Sequence, residues 1–288
     1  MWEDLDIVTR NSDKNQPPAI NIMNKRIRLT NWLLTLLLIL TASMLSGQEI
    51  KIGYSDSIDS KVLNETRKIL IHLPKGYQSS DKVYPVLYRL DGDLDLFIET
   101  VGVIQRLTYR EEVLPEHVLV MIENTDRNRD MMPTNTGFFT QEPGAEKFKE
   151  FFEDELFPHM SNSYRITDER ILCGQSLSSI FTLYCLLTRP DLFDSFIASS
   201  AGFPDCEPYF IELTNEMLKT DQKEGKKVFL SYGAKDPLDP NGIISKQLEN
   251  FTYRLDSAEN IDYKYKIYED EGHVPYQSLY HGLKFLYE

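Results

Sequence analysis

The stretch "RILCGQSLSSIFTLYCLLTRPDLF", residues 170–193, decides the fold. An apolar strand pattern runs to Gly174, and an apolar helical pattern begins directly after Gln175-Ser176. A serine at such a junction, with small residues (Gly174 and Ser178) two positions before and after it, resembles the G-x-S-x-G elbow that exposes a nucleophile. The same residues also fit a simpler interpretation, in which Ser176 is only the N-cap of the following helix. Taken alone, the stretch leaves both interpretations open.

The rest of the chain alternates between strand and helix patterns. Strand patterns cover 66–74, 84–90, 117–124, 170–174, 195–200, 226–233 and 261–269. Helical patterns cover 95–112, 145–162, the segment after Ser176, 208–219, 241–257 and 276–287, and a polar loop covers 125–144. This alternation predicts a single α/β domain over residues 48–288, with a mostly parallel sheet and helices on both faces. Ligands of such sheets bind at the carboxyl ends of the strands, where Ser176 is expected.

The first 47 residues differ from the rest of the chain. From Met23 the sequence "MNKRIRLTNWLLTLLLILTASMLSGQE" has a basic segment, an apolar segment and then small residues, which is the order of a secretory signal peptide. The apolar run from Trp32 to Leu45 is shorter than the roughly 20 residues that span a bilayer. We therefore expect a signal peptide over residues 23–47, no stable membrane span after its removal, and a periplasmic or secreted protein of Gram-negative type. Residues 1–22 are interpreted as a disordered or mis-assigned extension, and a short membrane anchor is the alternative for the apolar run.

Composition limits the classes of partner. The formal net charge is −14, which argues against nucleic acid and against an anionic membrane surface. Cys173, Cys185 and Cys206 are odd in number and have no C-x-x-C spacing, so buried free thiols are expected rather than disulfides or a zinc site. The sequence predicts no metal and no cofactor.

A serine nucleophile needs a base that removes its proton. Of the five histidines, only His273 and His281 follow Ser176, as the chain order Ser, acid, His of such folds requires. His273 lies in a loop after a predicted strand, whereas His281 lies inside the last predicted helix, so His273 is the expected general base and acid. The acid is expected at Asp236, three residues past Gly233 in the turn that ends the strand 226–233, with Asp239 as the alternative. An ordinary turn aspartate is the simpler interpretation of either residue.

Two further sets of residues are candidates for the site. The oxyanion hole is expected at the backbone N–H groups of Leu177 and Asp93, because one donor follows the nucleophile and the other follows the strand 84–90. Arg127 and Arg129, in the polar loop, are candidates for binding an anionic part of a substrate. A solvated charged loop is an equally good interpretation of these two arginines.

Several ordered segments of the chain together resemble the putative-esterase branch of the α/β-hydrolases. They are "SKVLNETRKILIHLPKGY", "YPVLYRLDGD", "ENTDRNRDMMPT", "YRITDERILCGQSLSSIFTLYCLLTRPDLFDSFIASS" and "EDEGHVPYQSLYHGLKFLY". The resemblance implies an α/β-hydrolase fold, Ser176 as nucleophile, His273 as base and an oxyanion loop after Asp91-Gly92. Two departures stand out, since Ser178-Ser179 replaces the usual Gly-Gly and "AGFPDCEPY" replaces a Ser-Pro segment with aromatic residues. The acid varies across this branch, so a Ser–His pair without an acid also remains open.

The resulting hypothesis is an exported serine esterase that hydrolyses a carboxylic ester through an acyl-enzyme. Its alternatives are a catalytically silent α/β-hydrolase fold that binds a ligand, and an acyltransferase that uses the same residues. The substrate is expected to be a small or polymer-linked ester, and the sequence does not choose between siderophore, feruloyl, acetyl or other esters.

Overall fold

The chain is described here by a computed structural model that covers residues 18–42, 50–137, 139–203, 205–219 and 225–288. It divides into two units, Met1–Lys51 and Ile52–Glu288. In the first unit, Pro18–Ala42 forms helix α1. The predicted cleavage region near residue 47 and most of the predicted extension over 1–22 lie outside the described residues. Within those residues no helix has both the length and the apolar composition needed to cross a membrane.

The second unit contains one sheet of eight strands. The strands are β1 (Tyr54–Ser60), β2 (Glu65–His72), β3 (Tyr84–Gly92), β4 (Val118–Glu123), β5 (Ile166–Gln175), β6 (Ser195–Ser199), β7 (Lys226–Gly233) and β8 (Ile261–Tyr268). Their order in the sheet is β1-β2-β4-β3-β5-β6-β7-β8. The pairs β1–β2 and β2–β4 are antiparallel, and the remaining pairs are parallel. The predicted mostly parallel sheet is therefore confirmed.

Helices cover both faces of this sheet. They are α2 (Leu94–Tyr109), α3 (Arg127–Met131), α4 (Ala145–Phe151), α5 (Phe157–Ser163), α6 (Leu177–Thr188), α7 (Glu207–Met217), α8 (Ile243–Leu255) and α9 (Ser278–Tyr287). Helices α2 and α9 pack with the side chains of one sheet face, and the other helices pack on the opposite face. In β5, Ile171 and Cys173 pack on the face covered by α2 and α9, and Leu172 packs on the opposite face. This alternation is expected of a strand that is buried on both faces. The three cysteines are buried free thiols, as predicted.

The structure adds three local features that the sequence patterns did not predict. Strand β1, "YSDSIDS", is polar and lies at the edge of the sheet, so it has no apolar periodicity to detect. Helix α3 lies inside the segment predicted as a loop. The helix predicted over 145–162 is continuous only through a π-helical turn, Phe152–Leu156, between α4 and α5. Phe148, Phe152 and Phe157, which lie before, in and after this turn, are all buried.

Candidate active site

The junction between β5 and α6 is a sharp, strained turn. Ser176 has φ 54° and ψ −124°, a backbone conformation that residues with a side chain rarely adopt. Its side chain makes no hydrogen bond to the start of α6, so the N-cap interpretation does not describe this serine. A Cβ atom added at Gly174 would overlap the carbonyl oxygen of Ser178, which explains the glycine before the turn. The backbone is thus bent to expose the Ser176 hydroxyl.

The structure brings Ser176, His273 and Asp236 together. The Nε2 atom of His273 lies 2.7 Å from the Oγ atom of Ser176, and its Nδ1 atom lies 2.6 Å from an Oδ2 atom of Asp236. The Asp236 side chain is fully buried, and its other oxygen accepts a 2.8 Å hydrogen bond from the N–H of Leu238. Because the Leu238 N–H fixes this carboxylate, the carboxylate in turn holds the imidazole with Nε2 facing the serine. The arrangement suits proton transfer from the serine hydroxyl to His273.

Asp239, the alternative acid, has a different set of partners. Its carboxylate accepts hydrogen bonds from the hydroxyl of Tyr232 at 2.8 Å and from the N–H of Ser245 at 3.0 Å. Burial raises the pKa of Asp239, but the hydrogen bonds from the backbone at Ser245 and from Tyr232 outweigh it, so the pKa lies below its usual value. Asp239 therefore anchors the start of α8, and the structure places Asp236 rather than Asp239 on His273.

Close backbone approaches hold the histidine loop against the sheet. A Cβ atom added at Gly233, the last residue of β7, would overlap the carbonyl oxygen of Gly272, the residue before His273. On the other side of the histidine, Val274 has φ 57°, and its N–H donates a 3.2 Å hydrogen bond to the Ser200 hydroxyl. The position of the imidazole is consequently set by backbone contacts on both sides.

The carboxylate of Asp91 lies behind the nucleophile turn and joins three segments. It accepts hydrogen bonds from the Arg127 guanidinium at 2.6 and 2.8 Å, from the Asn124 amide at 2.8 Å and from the Ser178 hydroxyl at 2.7 Å. Burial raises the pKa of Asp91, but the hydrogen bonds and charge of Arg127 outweigh this effect, so the pKa lies below its usual range. We call Asp91, Arg127 and Ser178 the elbow network.

The two serines that replace the usual glycines fit the turn without opening it. Ser178 and Ser179 are both fully buried. The Ser178 oxygen accepts a 2.7 Å hydrogen bond from the N–H of Gln175, while the Ser179 hydroxyl donates a 2.7 Å hydrogen bond to the carbonyl of Ser199. Ser178 thereby links the residue before Ser176 to Asp91.

A cleft of about 680 Å³ opens beside Ser176 and His273. Its walls include the apolar residues Phe139, Leu177, Phe203, Leu238, Ile243 and Ile244, and the polar residues Arg127, Asn128, Asp205, Asp239 and Gln247. Leu238 and Ile243 are exposed large hydrophobic residues. A pocket of this size that combines apolar walls with a few polar groups is typical of a small-molecule site.

The remaining predicted residues occupy different positions. Leu177 is the first residue of α6 and lines the cleft, so its N–H has no partner within the helix and lies next to the nucleophile. Asp93 caps α2, its carboxylate accepts a 2.8 Å hydrogen bond from Leu96, and it is not one of the described residues that line the cleft. Arg127 does line the cleft, whereas Arg129 bonds to Glu65 and Asp130 away from it.

Sequence reasoning missed the elbow network and the apolar wall. Asp91 follows an apolar strand at "RLDGD", a position at the carboxyl edge of the sheet that was available as a signal. The partners Asp91 and Ser178 are 87 residues apart, so their contact is visible only in the fold. The wall residues Phe203, Leu238 and Ile243 come from loops and a helix start that carry no motif.

Comparison with known sequences assigns the family. Residues 60–273 match the sequence model of the family described as "Putative esterase". The chain belongs to this esterase family. It is accordingly a hydrolase that acts on esters, and the resemblance inferred from its motifs is confirmed.

Individual relatives agree with this assignment. The chain is 27% identical over 206 residues to the ferri-bacillibactin esterase BesA of Bacillus subtilis (strain 168). The matched region covers 65% of this chain and 69% of that protein. The structure of an IroE-like serine hydrolase from Shewanella oneidensis superposes with a TM-score of 0.74 at 29% identity, covering 82% of this chain and 80% of that one. The BES protein from Bacillus cereus, at 23% identity and a TM-score of 0.71, shares the fold over 85% of this chain and 98% of its own.

Proposed function

We propose that the chain is a serine esterase in which Ser176 is the nucleophile, His273 the general base and acid, and Asp236 the residue that orients His273. One observation carries the proposal, namely the chain of contacts from Asp236 to His273 at 2.6 Å and from His273 to Ser176 at 2.7 Å. The strained backbone of Ser176 supports it, because strain of this kind is common where a nucleophile is presented.

In the proposed reaction, the Ser176 oxygen attacks the carbonyl carbon of the ester while His273 takes the hydroxyl proton at Nε2. The carbonyl oxygen becomes an oxyanion, which accepts a hydrogen bond from the N–H of Leu177, the residue after the nucleophile. The C–O bond to the alcohol then breaks, and His273 returns the proton to the departing oxygen. Water, activated by the same histidine, releases the acid and regenerates Ser176.

The N-terminal segment supports a second element of the proposal, which is export. The basic, apolar and small segments from Met23 onward are those of a signal peptide removed near residue 47. Expression from Met23 in a Gram-negative host is expected to yield a shortened chain outside the inner membrane. A full-length chain retained in the cytoplasm would contradict export while leaving the esterase proposal in place.

Labelling with a p-nitrophenyl alkylphosphonate tests the chemistry, because only an activated serine becomes covalently modified. We expect one label on Ser176, and no label and no ester hydrolysis in Ser176→Ala or His273→Ala. Circular dichroism of the variants serves as the control for folding. An unlabelled wild-type chain that hydrolyses no ester would favour the silent binding protein instead.

The balance between hydrolysis and acyl transfer is measured on the same samples. Adding a short alcohol as a competing acceptor diverts the acyl group only if the alcohol competes with water for the acyl-enzyme. We expect free acid as the main product. Acyl transfer as the main product would favour the acyltransferase alternative.

A further inference from the structure

The wall of the cleft beside Ser176 is mainly apolar and partly exposed. Leu238 and Ile243 line the cleft and have 66% and 58% of their surface exposed, and Phe139, Phe203 and Ile244 extend the same wall. Large exposed apolar side chains that cluster around a pocket indicate that an apolar group binds there, because their burial removes apolar surface from water.

The guanidinium of Arg127, which lines the cleft, is paired with the carboxylate of Asp91. Arg127 is the only lysine or arginine among the described residues that line it. Its Nε and Nη2 atoms bind both oxygens of Asp91 at 2.6 and 2.8 Å, and Nη2 also lies 3.3 Å from the carbonyl oxygen of Gln175. Because the carboxylate of Asp91 lies within 2.8 Å of this guanidinium, the pair has no net charge, and its attraction for an anionic ligand is reduced.

Carboxylates add negative charge to the same cleft. Asp205 is exposed at its wall, and Asp239 lines it while anchoring α8. The pKa of Asp239 lies below its usual value because hydrogen bonds from Ser245 and Tyr232 outweigh the effect of burial, so this group is ionised at neutral pH. An anionic substrate would therefore meet two carboxylates and one guanidinium that is already paired.

We infer that the ester hydrolysed at this site carries an uncharged, apolar aryl or medium-length acyl group in the cleft, and that esters with a negative charge on that group are poor substrates. The inference rests on the proposed function, since it assigns the substrate class of the Ser176 site. It also replaces the expectation that Arg127 and Arg129 bind an anionic substrate, because Arg127 is paired with Asp91 and Arg129 lies outside the cleft lining.

Three p-nitrophenyl esters of matched chain length test the substrate class. One has a methyl-terminated hexanoyl group, one ends in a carboxylate, and one ends in a trimethylammonium group. We expect kcat/KM for the uncharged ester to exceed the value for the carboxylate ester at least tenfold at low ionic strength. It is expected to exceed the value for the trimethylammonium ester by a smaller factor, because the carboxylates of the cleft attract a cation that the apolar wall does not solvate. An anionic or cationic ester hydrolysed as well as the uncharged one would overturn the inference.

A charge introduced into the wall provides the matched variant. Leu238→Lys is expected to raise kcat/KM for the carboxylate ester and to lower it for the uncharged ester, and the gain is expected to shrink as salt is added. Tyr253→Lys is the control, since Tyr253 is 78% exposed on α8 and is not one of the described residues that line the cleft. Equal effects of the two substitutions would show that the cleft does not select the acyl group and would overturn the inference.

Phosphonate labelling of the same samples distinguishes failure of the inferred substrate class from failure of the proposed function. A labelled chain that prefers the carboxylate ester would overturn the substrate class alone. A chain that is neither labelled nor active on any of the three esters would overturn the proposed function, and the substrate class with it.

Discussion

Replacing Ser178 with alanine tests the elbow network, and Ser179→Ala is its matched control. Both serines are fully buried neighbours in the first turn of α6, so the two substitutions remove the same atom from the same helix. They differ in their partners. Ser178 bonds to the ionised carboxylate of Asp91 and to the N–H of Gln175, whereas Ser179 bonds only to the carbonyl of Ser199.

The expected costs follow from these partners. A hydrogen bond to a charged group contributes about 1.5–3 kcal/mol to stability, and a buried N–H without a partner costs about 1–3 kcal/mol. Ser178→Ala, which removes both, is therefore expected to lower the free energy of unfolding by about 3 kcal/mol. Ser179→Ala leaves the Ser199 carbonyl with its 2.7 Å hydrogen bond from the N–H of Ser176, so its cost is expected to be about 1 kcal/mol.

Urea unfolding followed by circular dichroism measures both costs. The difference of about 2 kcal/mol corresponds to roughly 4–8 °C in Tm for a domain of this size. We also expect kcat to fall more in Ser178→Ala than in Ser179→Ala, because the first loses the link between the nucleophile turn and Asp91. Equal destabilisation by the two substitutions, or a loss below about 1 kcal/mol for Ser178→Ala, would refute this account of the network.

Two further predictions concern the acid and pH. Asp236→Asn is expected to lower kcat by up to about 10⁴-fold through loss of the correct His273 tautomer. Asp239→Asn is expected to lower Tm and largely spare kcat. Both values of kcat are measured with a p-nitrophenyl ester, and near-normal kcat in both variants would indicate a Ser–His pair. Burial lowers the pKa of His117 to about 4, so the unfolded chain takes up a proton below about pH 6.5 that the folded chain does not, and stability falls as pH drops. Between pH 7 and 5 the wild type is expected to lose about 2 kcal/mol more than His117→Asn in urea unfolding, and equal losses would contradict this role.

Much of the fold followed from periodicity, and most of the candidate site followed from the order of its residues in the chain. The strands and helices around Ser176 are apolar and buried on both faces, so their patterns survive in the sequence. His273 was identifiable because one histidine follows a strand after the serine, and Asp236 because it lies in the turn three residues after β7 ends at Gly233. Residues placed by local pattern and chain order were therefore predictable.

What the sequence did not predict depends on contacts between distant segments. Helix α3 is only five residues long and is too short to be stable by propensity alone. Ion pairs from Arg129 to Glu65 and from Asp130 to Arg67 attach it to β2, and these partners are more than 60 residues apart in the chain. The choice between Asp236 and Asp239, three residues apart, likewise depended on the turn that follows β7.

The shared carboxylate of Asp91 limits how the specificity of this enzyme can diverge. Loss of Arg127 would leave a buried carboxylate without its counterion, which costs about 3–5 kcal/mol, a large part of the roughly 5–15 kcal/mol that stabilises a domain. Changes at exposed residues usually alter stability by less than about 0.5 kcal/mol. Substitutions that adapt the cleft to new esters are therefore expected at Leu238 and Ile243, which are exposed. Arg127, which lines the cleft and is paired with Asp91, is expected to stay unchanged among close descendants.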